Sequence, residues 1–205
     1  SPSTVAHNIG TAPEFIIVKR YTSGTNNWVV GHAAVGWTKY LYLNTDAGAT
    51  ASATAWNDTA PTANVWTMQD WSDMNASSNS YVAYLWAGIP GLQKFGTYRG
   101  SGTADGPYVF TGFRPALVMV KRYDGGTDDW MIIDDRRDKY NVCRSQLYPN
   151  DAAGHTEADT MDIVSTGFKL RYTGGQGNTS GADYLYAAWS HQALGGLYGG
   201  QSNAR

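Results

Sequence analysis

Two short stretches of the chain are apolar at every position, Phe15 to Val18 and Leu117 to Val120, so a strand through either buries both faces. Each reads as the central strand of a packed sheet. Both run on into the same three residues, Lys19-Arg20-Tyr21 and Lys121-Arg122-Tyr123. A polar turn follows each, Thr22 to Asn27 and Asp124 to Asp129, rich in Gly or Asn where a positive φ costs little. The return strands open on Trp28-Val29-Val30 and Trp130-Met131-Ile132, where the two indoles are placed to close the end of a core.

Alternation predicts a further strand from Tyr81 to Trp86, with Val82, Tyr84 and Trp86 on one face and Tyr81, Ala83 and Leu85 on the other. Alanine on one face beside rings on the other points to close approach of a second sheet. Tyr184 to Trp189 is its counterpart near the other end of the chain. Lys94 to Arg99 and Pro107 to Phe113 read as two strands joined by a tight glycine loop, Gly100 to Gly106. Thr50 to Ala55 reads as loop or edge strand, and helix-forming stretches are almost absent.

The correspondence between these stretches is ordered. The first matches are separated by 102 residues, Leu41 to Asn44 stands 106 residues before Leu147 to Asn150, and Tyr81 and Trp86 stand 103 before Tyr184 and Trp189. Duplication of a unit of about 100 residues accounts for that order. The expected fold is therefore all-β, an antiparallel β-sandwich built from two internally repeated units, residues 1–93 and 94–194. Lys19, Trp28 and Trp86 anchor the first unit and Lys121, Trp130 and Trp189 the second. A Gly-, Ser- and Asn-rich tail, 195–205, is expected to extend from the body or to dock on a neighbour.

Composition narrows the classes of function. Charged residues make up 16%, so Ser, Thr, Asn, Gln and Gly must cover much of the surface. With 15 basic against 17 acidic side chains, the chain has no broad field to draw it to nucleic acid or to an acidic membrane. It has no unbroken apolar run long enough to insert in a bilayer as a helix. A single cysteine, Cys143, excludes an internal disulfide framework and favours intracellular assembly or stability from oligomerisation. The opening Ser1-Pro2-Ser3-Thr4, without Met or apolar leader, reads as a mature, trimmed or excised piece of a longer protein.

Candidate chemistry is sparse. Asp124, Asp128 and Asp129, with Asp134, Asp135 and Asp138 beyond them, offer oxygen ligands for a hard cation such as Ca²⁺. However, the first copy carries Asn26 and Asn27 at the equivalent turn positions, Arg136, Arg137 and Lys139 interleave with the acids, and the spacing is not that of an EF-hand. A solvated or salt-bridged turn is the favoured reading. His7, His32, His155 and His191 lack any zinc-site spacing. His155 with Glu157, Asp159 and Asp162 reads as a polar loop. The chain has no Gly-x-Ser-x-Gly elbow, and Glu14 and Glu157 are its only glutamates, which leaves little for glycoside cleavage. Cys143, beside Arg144, is read as a small buried hydrophobe rather than a reactive thiol. Neither an enzyme activity nor a cofactor is expected.

Several of these motifs carry a resemblance. Phe95-Gly96, Tyr98 and Gly100, the run Gly106-Pro107-Tyr108-Val109-Phe110-Thr111-Gly112-Phe113-Arg114-Pro115-Ala116, Val120-Lys121-Arg122, Asp129-Trp130, Asp134 to Tyr140 and Gly167 to Arg171 resemble a family of virion structural proteins of tailed bacteriophages. Such units sit toward the C-terminal end of long tail or fibre proteins in marine and cyanobacterial phages. The resemblance is strongest from Phe95 to Trp189. It implies a place on the particle surface or tail, partners among its own copies and other virion proteins, and contact with a host surface. It supplies no ligand residues.

The expected function is thus non-enzymatic assembly and host-surface attachment, with a carbohydrate-binding sandwich module and a capsid decoration or filament building block as alternatives. Glycan or receptor contact needs exposed rings flanked by hydroxyls and amides. Trp56, Trp66, Trp71 and Tyr98, set among Asn, Asp, Thr and Ser, are the candidates for it; anchoring of loops and subunit contacts are the competing roles.

Overall fold

The computed structural model describes residues 2–22, 24–152 and 155–191. The first half of the chain holds β1 (Ser3–Ala6), β2 (Phe15–Arg20), β3 (Trp28–His32), β4 (Lys39–Tyr42), β5 (Thr50–Ala51), β6 (Val65–Met68) and β7 (Tyr81–Trp86). The second holds β8 (Gln93–Arg99), β9 (Tyr108–Phe110), β10 (Leu117–Arg122), β11 (Met131–Asp134), β12 (Cys143–Leu147), β13 (His155–Val164), β14 (Gly167–Leu170), a single helical turn α1 (Gly175–Asn178) and β15 (Asp183–Trp189). All pairing between these strands is antiparallel.

The two doubly apolar runs are indeed interior strands. β2 lies between β3 and β7, and β10 lies between β11 and β15. A five-stranded sheet runs β5-β4-β3-β2-β7 and an eight-stranded sheet β8-β15-β10-β11-β12-β13-β14-β9, with β1 and β6 paired separately. The halves use the same local bonds. Glu14 N donates to Trp86 O as Ala116 N does to Trp189 O, and Ala33 N to Glu14 O as Asp135 N does to Ala116 O. The Asn44 carboxamide oxygen accepts from Trp28 N at 2.8 Å, and that of Asn150 accepts from Trp130 N at 2.8 Å. Val5 faces Trp66 across β1 and β6, as Val109 faces Phe168 across β9 and β14.

Strand alternation then sorts the side chains into three cores. Phe15, Ile17, Val30 and Leu41 of the smaller sheet pack on Phe95, Met119, Leu185 and Ala187 of the larger one and on Trp130, which leads into β11. Phe15 stacks on Phe95 at 5.6 Å with ring planes 16° apart, and Trp86 meets Trp189 edge-on at 5.9 Å. The opposite face of the smaller sheet buries Ile16, Val18 and Val29 with Trp56, Trp66 and Met74. The larger sheet curls, so that Val118, Val120, Met161, Phe168, Leu170 and Tyr184 from strands across its width meet in one interior.

Polar bonds stitch the halves around the shared core. His32 Nε2 meets Tyr186 O at 3.1 Å, Trp130 Nε1 donates to Tyr42 O at 2.8 Å, and Lys121 Nζ donates to Asp46 O at 2.5 Å. Ala47 bridges Thr127, and Ala49 N donates to Tyr123 O. The two halves accordingly form one sandwich.

Two expectations need correction. β8 and β9 are not neighbours: β8 flanks β15 at one edge of the larger sheet, and β9 flanks β14 at the other. The glycine-rich link between them passes over α1, where the buried Asn178 accepts from Ser101 N at 2.7 Å and donates to Thr103 O at 2.8 Å. A Cβ on Gly100 would stand 2.2 Å from Thr179 O, so this glycine serves close approach rather than a hairpin turn. The second is the stretch around His155, which is no loop but ten residues of β13. Its polar side chains misled because they find partners across the sheet: Gln146 Nε2 donates to Thr160 Oγ1 and Arg171 Nε to Asp162 at 2.6 Å. Thr50–Ala51 is the expected edge strand, β5. The tail 195–205 lies outside the described residues.

Candidate functional site

Of the four rings named as contact candidates, Trp56 and Trp66 are buried, and Trp71 and Tyr98 are half-buried against other rings. Trp56 is fully buried; it meets Trp37 edge-on at 5.3 Å and Trp66 at 6.0 Å, and its Nε1 donates to Lys39 O at 2.9 Å. Gly31 makes room for that cluster, since a Cβ there would lie 2.6 Å from both Trp37 and Trp56. Trp66 is buried as well. Trp71 is half-buried against Tyr40, 4.9 Å between centroids. Tyr98 lies flat on Tyr184 at 5.2 Å, donates to Gly177 O at 2.7 Å, and burial holds its hydroxyl well above the usual range. The surrounding Ser, Thr and Asn misled for a physical reason. They bond within their own short turns, as Ser52 with Thr54 at 2.8 Å, and leave the rings to fill the space beneath.

The acidic turn is consumed in the same way. Asp124 and Asp128 meet Arg122 at 2.7 and 3.2 Å, and Asp129 accepts from Asn150 Nδ2 at 2.6 Å. Burial alone would raise the Asp124 carboxyl; Arg122 and the Asp183 N–H hold it below the usual range. In the first half Asn26 and Asn27 instead donate to the buried Asp73, at 2.7 and 3.3 Å. Among the described residues no three His, Cys, Asp or Glu side chains gather as a metal site.

Lys19 and Lys121 both lie near the ends of interior strands, β2 and β10, ahead of a turn. Lys19 Nζ donates to Asn26 O and lies 5.6 Å from the Trp28 ring centroid. Lys121 is fully buried and donates to Asp128 O as well as to Asp46 O. Burial lowers its ammonium to about 8, against the opposing pull of Asp128 and Asp46. Glu14 accepts from Gly88 N at 2.9 Å, and Glu157 lies on β13 opposite Ser145. Cys143 is buried and free, and burial raises its thiol to about 11.

An open feature of the described surface lies elsewhere, on the segment from Arg137 to Arg144 that leads into β12. It forms a wide depression of about 640 Å³, completed by Asp159 from β13. Tyr140 is 85% exposed there. Asp138 shapes the segment by accepting from Arg144 N at 2.8 Å and Ser145 N at 2.6 Å. Arg144 pairs with Asp159 at 3.2 Å, both largely in water. Arg137 is fixed by Asp134 at 2.6 Å and by Ile132 O at 3.1 Å, while its Nη1 is buried with no hydrogen-bond partner among the described residues. In the sequence Arg136, Arg137 and Lys139 stood out only as bases interleaved with the acids, and Tyr140 was not among the contact candidates.

These features define a class: an antiparallel two-sheet protein whose buried rings fill its cores and whose surface carries an open depression of mixed charge beside the exposed Tyr140. The chain belongs to the family described as a domain of unknown function, DUF7483, whose model matches residues 1–193, across both halves. No curated protein and no solved structure matches it.

Proposed function

We propose that the chain is a non-enzymatic structural protein of a tailed-phage virion, a tail or fibre part that works by assembly and by surface contact. The motif resemblance from Phe95 to Trp189 supports the virion setting. The matched bonds of Asn44 and Asn150, and of Lys19 and Lys121, support an origin by duplication.

One observation carries the contact role. The ionisable side chains near the turns hold strands and turns together, whereas Tyr140 presents a ring to solvent beside Lys139 and Asn141. A flat ring covers the apolar patch of a sugar, and an ammonium such as that of Lys139 pairs with its hydroxyls or acidic substituents. The ligand class is thus a surface glycan, and a carbohydrate-binding module is the same reading outside a particle.

Two measurements test it. Antibody raised to the chain should decorate intact particles; particles with the protein wholly absent would remove the virion assignment. On an array of bacterial surface polysaccharides, Tyr140→Ala should lose at least about tenfold in apparent affinity while melting like the parent protein, because a ring 85% exposed contributes little to folding. Equal binding by parent and variant would remove the contact site.

A further inference from the structure

The exposed ring of Tyr140 has company on the neighbouring strands. Val109, Phe168 and Ile163 form one row across β9, β14 and β13, and all three are buried in the core of the larger sheet. Alternation therefore turns the next residues outward: Tyr108 and Phe110 on β9, Gly167 on β14 and Val164 on β13. Phe110 is 57% exposed and Tyr108 48%. The outward row of Phe110, Gly167 and Val164 leads back to the depression. There the Asn141 carboxamide accepts from Ile163 N at 2.9 Å and donates to Ile163 O at 3.0 Å. Tyr140 precedes Asn141, three strand spacings or about 14 Å from Phe110.

The surface between the two sets of rings is low. Gly167 has no side chain, and a Cβ there would stand 2.0 Å from Val109 O. Val164 beside it is half-buried. The rings at the far end are held in place. The Tyr108 hydroxyl bonds Thr166 Oγ1 at 2.7 Å, and the Lys94 ammonium lies 5.2 Å from the Phe110 ring centroid while donating to Phe110 O at 2.9 Å. Lys169, opposite Tyr108, pairs with Asp105 at 2.8 Å. Rings already fixed in the free protein lose little freedom on binding. Interleaved ammonium, carboxylate and hydroxyl groups suit a hydroxylated chain, whereas the core of a protein–protein interface is depleted of such charges.

We infer that the outer face of β13, β14 and β9 extends the Tyr140 site into a track for a glycan chain, with Phe110 and Tyr108 as its second ring platform. The track rests on the contact role of Tyr140 proposed above and adds selection by length. A disaccharide reaches one platform; an oligosaccharide that spans about 14 Å engages both and gains from the second without a new encounter.

Size-graded fragments test this, with bacterial surface polysaccharides arrayed whole, as hexasaccharides and as disaccharides. The parent should bind hexasaccharides and whole chains more tightly than disaccharides. Phe110→Leu keeps apolar bulk but removes the flat ring; it should melt like the parent and lose that advantage, about tenfold, as should Tyr108→Leu. Long fragments bound by Phe110→Leu as tightly as by the parent, beside a loss in Tyr140→Ala, would overturn the track and leave the Tyr140 site standing. Loss in neither variant, or no glycan bound by the parent, would overturn both. Self-association of the parent that Phe110→Leu abolishes, with glycan binding unchanged, would overturn the track in favour of an interface between copies.

Discussion

His32 lies at the seam between the sheets, and acid should find it. Its ring is 1% exposed, edge-on to Phe15 at 5.9 Å and Phe95 at 6.4 Å. Nδ1 accepts from Ala34 N at 3.2 Å, which leaves the proton on Nε2 to donate to Tyr186 O. Burial lowers its pKa from 6.5 to about 4, the Tyr186 carbonyl opposing only in part. In the unfolded chain the imidazole takes a proton near 6.5; in the folded protein it stays neutral until about 4. The unfolded state therefore binds more protons across that window, and stability falls as pH drops through it. Above 6.5 the contribution is fully present, and below about 4 no further loss follows.

The size of the effect follows from the shift. At about 1.4 kcal/mol per unit, moving from about pH 7.5 to about pH 4.5 costs roughly 2.5 kcal/mol through this one group. Carboxylates such as Asp105, Asp124 and Asp134, whose folded pKa values are lowered, add losses at lower pH. The comparison is therefore between the parent and His32→Gln, in which a side-chain amide can still donate to Tyr186 O. Urea unfolding at both pH values should show the variant losing about 2.5 kcal/mol less than the parent between them. Equal losses would refute a neutral buried imidazole at the seam.

Three further outcomes follow from the packing. Gly31→Ala should destabilise by about 2–3 kcal/mol in chemical denaturation, since its Cβ meets two rigid indoles at 2.6 Å; a neutral effect would contradict the Trp37–Trp56 packing. Lys121→Met strands the Asp46 and Asp128 carbonyls and should cost about 2–4 kcal/mol, against about 1 for the half-exposed Lys19→Met, in the same assay. Equal costs would contradict the role of Lys121 as a joint between the halves. Cys143, with its thiol raised to about 11, should resist thiol reagents at neutral pH until the protein unfolds; rapid labelling of the native protein would contradict its burial.

Much of the architecture was legible because it is written locally. Runs apolar on both faces marked β2 and β10, and the turn residues after them marked their hairpins. The repeated Leu-Tyr and Asn at 41–44 and 147–150 had a concrete meaning: each asparagine accepts the N–H that opens a return strand. Non-local pairing was not legible. Nothing within β8 or β9 says that they flank opposite edges of one sheet, and β1 finds β6 about 60 residues away. Local polarity also misreported burial at Trp56, Trp66 and Tyr98, because a turn can satisfy its own hydroxyls while a ring beneath it packs across the sheet. The depression around Tyr140 depends on Asp159 arriving from β13, a stretch whose acids read as loop.

Everything above depends on the two halves of the chain folding as one body around Phe15, Phe95, Trp130 and Leu185. Native-state hydrogen exchange on β2 and β10 measures that coupling directly. Amides of both central strands should exchange only through one global opening, with the same free energy and the same dependence on denaturant. If β2 opened at a much lower free energy while β10 stayed protected, the halves would be separate folding units and the shared core would be wrong.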